Sequence, residues 1–174
     1  DLPLNVSREI LQDSELLGKI RATVVKRSLD LIERLAENGG EDFQRFWSAF
    51  GSVLKEGIVE DPENREQIAR LLRFSTSRDP ASHAVSLSDY LSRADAGQDA
   101  IWYLTGDNLK QLQASPHLEA FDKAGVEVLL LDEPIDVWLV NHLHEFEGKP
   151  LKSAASGEFS APTDDTEETP DEQE

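Results

Sequence analysis

The 174-residue sequence contains no cysteine and no methionine. Without thiols, disulfides and thiolate metal sites are excluded, and nothing argues for an oxidising compartment. Bases are scarce as well: 17 Lys and Arg stand against 35 Asp and Glu, for a formal net charge of −18. Such a field repels phosphate backbones and argues against nucleic acid as a partner. No apolar run approaches the length of a bilayer span and no signal-like stretch opens the chain. The expectation is therefore a soluble, cytoplasmic protein with no membrane partner. With no initiator Met, the chain is expected to be a fragment of something longer.

Other absences bear on chemistry. Of the four histidines only His142 and His144 are close, and residues two apart do not face each other on a helix, so no metal is assigned. The serines sit at caps and in loops, without a nucleophile–base arrangement. Val126 to Pro134 (VEVLLLDEP) has the look of an ATPase strand ending in paired acids. The Gly-rich loop with Lys-Ser/Thr that must accompany it is missing, so the segment reads as a strand-to-helix turn. Thr105-Gly106-Asp107-Asn108 is likewise a tight turn, with Asp107 as cap.

What is present begins with helices. Pro3 fixes its own φ and biases its neighbours, so Leu2 to Leu4 are expected to run extended. Asp13 or Ser14 then caps a long helix to about Asn38, with Leu17, Ile20, Val24, Leu31 and Leu35 as its inward stripe, widened by Leu16, Val25 and Ile32, and Gly39-Gly40 as its end. A second helix covers about Glu41 to Glu56, carries Phe43, Phe46, Trp47, Phe50 and Leu54 on one face, and is stopped by Gly57. Asp61-Pro62 opens a third, ending near Leu72.

From Arg73 the periodicity changes. Short strands are expected at Arg73–Thr76, Ala100–Leu104 and Val126–Leu131, with Leu151 to Ser153 adding a last one. Helices lie between them, capped by Ser86 with Asp89 three residues on, by Asp107, and by Ser115 ahead of Pro116. Another runs from Pro134 to about His144. The fold class is α/β: a three-helix subdomain (13–72) followed by a small α/β/α sandwich (73–152) with a mainly parallel sheet. Residues 153–174 hold eight acids and no base, leaving −10 on the rest. That composition predicts a disordered acidic linker or tail.

Two clusters could carry function. Asn5, Arg8 and Gln12 are spaced three and four apart, so helical turns would place them on one side. The Arg fork suits a phosphate and the amides could hold it there; the alternative is a polar lead-in to the helix. Trp138 lies one position off the stripe of Ile135, Leu139 and Leu143, about 100° around the helix, with Asn141 on the same side and Val137 adjacent. It either packs on a neighbouring subdomain or forms an exposed recognition surface.

The opening dozen residues, DLPLNVSREILQ, strongly resemble the catalytic loop of the middle domain of the heat-shock protein 90 chaperones. The likeness continues through Lys19-Ile20-Arg21, Phe46-Trp47-Ser48-Ala49-Phe50, Leu71-Leu72-Arg73-Phe74 and Ser86-Leu87-Ser88-Asp89-Tyr90. It resumes at Tyr103-Leu104-Thr105-Gly106, Pro134-Ile135-Asp136 and Glu145-Phe146-Glu147-Gly148-Lys149, in the family's order. Ile10 and Ala94 stand where Met is usual, and Val137 where the family has an acid.

The resemblance implies a middle-domain fragment (catalytic loop 1–12) of an ATP-dependent chaperone that assists protein folding. Arg8, supported by Gln12 and Asn5, would reach the γ-phosphate of ATP, which binds with Mg in a separate N-terminal domain. Trp138, Asn141 and Val137 would contact unfolded client proteins, and an absent C-terminal domain would make the homodimer. Alone, the fragment lacks the nucleotide pocket and is expected to be inactive. The alternative is a non-enzymatic acidic interaction domain.

Overall fold

A computed structural model describes the backbone of residues 2–159 and the side chains of residues 15–159. It resolves into two compact units, Asp1–Arg73 and Phe74–Glu174.

The first unit is helical: α1 (Leu2–Asn38), α2 (Glu41–Glu60) and α3 (Arg65–Leu71). The extended start and the cap at Asp13 or Ser14 give way to one unbroken helix. Pro3 falls in its first turn, where backbone N–H groups have no intrahelical acceptor and a missing one costs nothing. The stripe on α1 is also corrected. Leu17, Ile20, Val24 and Leu31 are exposed, and the buried position is Leu29, with Val25, Ile32, Leu35 and Ala36 half-buried.

Leu29 shares its unit with the buried Phe43, Ile58, Ile68, Ala69, Leu71 and Leu72. Gln67 of α3 donates to both Asp30 and Glu33 of α1 (3.2 and 3.1 Å), tying those helices across their polar edge. Gly57 does not stop α2, which runs a further turn. A Cβ at Gly57 would lie 3.1 Å from Ile68 Cδ1, so the residue's smallness lets α2 and α3 approach. The Asp61-Pro62 segment is a turn ahead of α3 rather than its first residues; Asp61 Oδ1 accepts from Asn64 N–H at 3.2 Å. On the aromatic face of α2, Phe43 is buried but Phe50 is exposed.

The second unit is built on a five-stranded sheet, β1 (Ser75–Thr76), β2 (Ile101–Thr105), β3 (Leu129–Leu131), β4 (Glu145–Phe146) and β5 (Lys149–Ser153), in the order β1-β3-β2-β5-β4. The three central strands are parallel and the edge strands antiparallel, so the sheet is mainly parallel. Helices α4 (Leu87–Arg93), α5 (Leu109–Gln113), α6 (Leu118–Lys123) and α7 (Pro134–Val140) connect the strands. All three residues of β3 are buried, as a strand covered on both faces requires.

The capping box at the start of α4 forms as the sequence predicts: Ser86 Oγ accepts from Asp89 N–H, and Asp89 Oδ2 from Ser86 N–H. Elsewhere caps shift by a residue or two. Asn108, not Asp107, caps α5, and the N-cap of α6 is His117. Gly106 precedes α5 with Leu112 pressed against it: a Cβ there would come within 2.8 Å of Leu112 Cδ2. Of the β4–β5 hairpin the sequence predicts only the end of β5, Leu151 to Ser153; β4 and the turn are additions. The two-residue turn, Glu147-Gly148, has positive φ at both positions (49° and 77°), the geometry that matches strand twist.

A polar hub braces the buried side of this unit. The Tyr90 hydroxyl donates to the Glu127 carbonyl (2.6 Å) and accepts from Trp102 N–H (3.1 Å) and Gln98 Nε2 (2.9 Å). One donor and two lone pairs are thereby satisfied. The carboxylate of Glu127, also buried, takes a two-pronged contact from Arg93 (3.1 and 2.8 Å). Packing also continues past Ser153, where the acidic segment was expected to begin. Ala154 is buried, and the Phe159 ring stacks on Phe121. These are the apolar residues that an averaged composition conceals.

Candidate functional site

The surface around α7 is built from its core side outward. Pro134 occupies the first turn, where its fixed φ suits the helix. Asp136, fully buried, accepts at Oδ2 from the Glu133 N–H (3.1 Å), closing the helix start. Leu139 and, beyond the helix end, Leu143 are buried; Ile135 is half-buried. Ile135, Asp136 and Leu139 fix one face of a seven-residue helix, and Leu143 anchors the chain just past its end.

The opposite face carries the residues singled out by spacing. Trp138 is 61% exposed and Val137 51%, and Asn141, at the C-cap, is exposed too. A large indole exposed between the buried Asp136 and Leu139 is the informative case among surface residues. The helix ends at Val140, short of the expected His144. His142 accounts for how that end is held: its Nδ1 lies 2.8 Å from the Trp138 carbonyl oxygen, four residues back. With that nitrogen protonated, the ring donates to a carbonyl the last turn leaves unsatisfied. His142 was not among the predicted site residues. The i, i+4 spacing from Trp138 was the signal available in the sequence.

Asn5, Arg8 and Gln12 lie outside the residues whose side chains are described. Among the described residues no helix is long and apolar enough to cross a membrane.

A small α/β unit with a mainly parallel sheet, following a helical unit and bearing an exposed Trp on its last helix, defines the class. The chain belongs to the Hsp90 family, whose sequence profile, described as Hsp90 protein, matches residues 1–174. Among its relatives are chaperone protein HtpG of Alkalilimnicola ehrlichii, 55% identical over 158 residues (90% of this chain, 24% of the relative), and that of Yersinia pestis, 49% identical over 175 residues (100% and 28%). The chain thus spans about a quarter of the length of these relatives. The middle domain of a Plasmodium falciparum heat shock protein superposes with a TM-score of 0.76 at 32% identity, covering 81% of this chain and 59% of that one. The chain has the Hsp90 middle-domain fold.

Proposed function

We propose that the chain is the middle-domain portion of an ATP-dependent molecular chaperone and that its α7 surface contacts partly folded client proteins. The observation that carries this reading is the exposed Trp138–Val137 pair, with Asn141 beside it, on a helix whose other face is locked by Asp136 and Leu139. A chaperone for unfolded chains needs apolar surface rimmed by polar groups, presented without ordering cost. An aromatic anchor on a rigid support meets that need.

Three further roles belong to the same reading and draw on family membership. Arg8, with Gln12 and Asn5 in a catalytic segment at residues 1–12, would complete an ATPase site in a separate N-terminal domain. ATP and Mg would bind there and supply the energy of the cycle. Residues 13–72 and 73–152 would act as subdomains of the middle domain, the acidic residues after Phe159 as a linker, and a C-terminal domain as the dimer interface. The working compartment would be the cytoplasm.

Trp138→Ala tests the client surface. Affinity for an unfolded client, measured by anisotropy, is expected to fall about tenfold, the equivalent of about 1.4 kcal/mol. The melting temperature should move by no more than about 2 °C, because an exposed side chain contributes little to the core. Val137→Glu, restoring the family's acid, should weaken apolar clients more than basic ones. A large loss of stability with client affinity intact would end the proposal.

A further inference from the structure

After β5 the chain makes a 3-10 turn, Ala154–Ser156, and then reverses at Gly157, whose φ of 74° is left-handed. The hydrogen bonds around this turn are local: Ser153 Oγ accepts from Ala155 N–H, Ser156 Oγ donates to the Ser153 carbonyl, and Ser156 Oγ accepts from Glu158 N–H. They deliver Phe159 onto an aromatic pair. Its ring stacks on Phe121, with centroids 3.9 Å apart and planes 24° from parallel, and meets Trp102 edge-on at 5.5 Å. Trp102 and Phe121 are themselves in edge contact at 5.1 Å.

The three rings are not equivalent. Trp102 and Phe121 sit on β2 and α6 and are 4% and 2% exposed, whereas Phe159 is only half-buried and arrives on a strap held by its own turns. Beside it lies a cleft of about 500 Å³, walled by Trp102, Val126, Gln98, Asp99 and Lys152 and by Phe159 itself. Lys152 Nζ stands 5.9 Å from the Trp102 ring centroid and 3.8 Å from Asp99 Oδ2, on a rim that Asp95 and Glu158 make acidic.

We propose that Trp102 and Phe121 form a receptor pocket for an aromatic side chain, that Phe159 is its intramolecular occupant, and that the strap 155–159, beyond the buried Ala154, is detachable. The class of ligand is a peptide presenting a Phe-like ring, and the chain's own sequence supplies the first example. A ring stacked at 3.9 Å and edge-on at 5.5 Å is geometry that any Phe, Tyr or Trp of suitable approach reproduces. Because the strap is covalently attached, it competes at high effective concentration, and a ligand in trans gains access only when the strap is loosened.

The test uses the chain with Trp47→Phe and Trp138→Phe, so that Trp102 is the sole indole. Phe159→Ala should raise acrylamide quenching of Trp102 at least threefold and lower the thermal midpoint by only a few degrees. Gly157→Val, which strains the reversal and leaves the pocket walls untouched, should raise quenching in the same direction. Added peptide of sequence SAASGEF should restore protection saturably in both variants, and SAASGEA should not. Unchanged quenching in both variants overturns the proposal. So does a midpoint collapse in Phe159→Ala matching that of Phe121→Ala, which would make Phe159 ordinary core. Failure of the peptide to protect either variant overturns the receptor assignment.

Discussion

Arg8→Ala in the complete protein is expected to lower ATP turnover roughly 10²-fold while nucleotide affinity stays within about twofold. An Arg that completes a site from another domain stabilises charge developing on the phosphoryl group and does little for ground-state binding. Arginine fingers contribute roughly 10³ to 10⁵ in rate, but a segment that must first dock dilutes the effect on chemistry. Arg8→Lys should recover only part of the loss, because an ammonium cannot reproduce a planar fork of donors. Single-turnover hydrolysis that is unchanged in Arg8→Ala would remove Arg8 from the mechanism. The 174-residue chain alone should show neither tight ATP binding nor turnover.

Tyr90→Phe should destabilise the α/β unit by roughly 2–4 kcal/mol in chemical denaturation. One hydroxyl satisfies the Glu127 carbonyl, the Trp102 N–H and the Gln98 amide, and its loss leaves buried groups unmatched. The same residue sets an alkaline limit. Burial, opposed by the hydrogen bonds from Trp102 and Gln98, pushes the Tyr90 phenol up to about 12. An unfolded tyrosine ionises near pH 10, so the folded state holds its proton longer than the unfolded state does. The stabilisation is therefore complete below pH 10 and is lost between pH 10 and 12, by about 2–3 kcal/mol. Tyr90→Phe should lose this part of the alkaline slope. Tyr103, raised by partial burial, should contribute a smaller slope of the same sign. Identical pH profiles for wild type and Tyr90→Phe would contradict this account.

The α/β class was legible because strand-like runs alternate with capped helices from Arg73 onward, and the Ser86–Asp89 box formed as written. The offset of Trp138 from Leu139 and Leu143 leaves packing on a neighbouring subdomain and exposure both open in the sequence; with both leucines anchored in the core, the indole is 61% exposed. The inward face of α1 did not follow. Leu16 and Leu17, Val24 and Val25, and Leu31 and Ile32 are adjacent apolar pairs, so two helix phases fit equally well and tertiary contact decides between them. Gly57 reads as punctuation because a glycine's conformational freedom is visible in sequence, whereas its service as a gap for Ile68 needs the neighbouring helix. The β4–β5 hairpin was hidden by a turn with Glu at its first central position, where Asn or Asp would have announced it. In sequence His142 suggests at most a metal ligand, because its contact with the Trp138 carbonyl depends on where the helix ends.

The place of β5 beside the central strand β2 dictates an order of events during synthesis. Strand β2 pairs with β3, made some 25 residues later, and with β5, whose last residue is Ser153. Until Lys149–Ser153 has left the ribosome, one edge of Ile101–Thr105 stays open, with unpaired amides and carbonyls flanked by apolar side chains. The helical unit carries no such debt, because the segments that pair within it are all made first. A nascent chain stalled near Gly148 is consequently the species most exposed to strand-edge association, and a chain released with Ser153 complete has closed that edge.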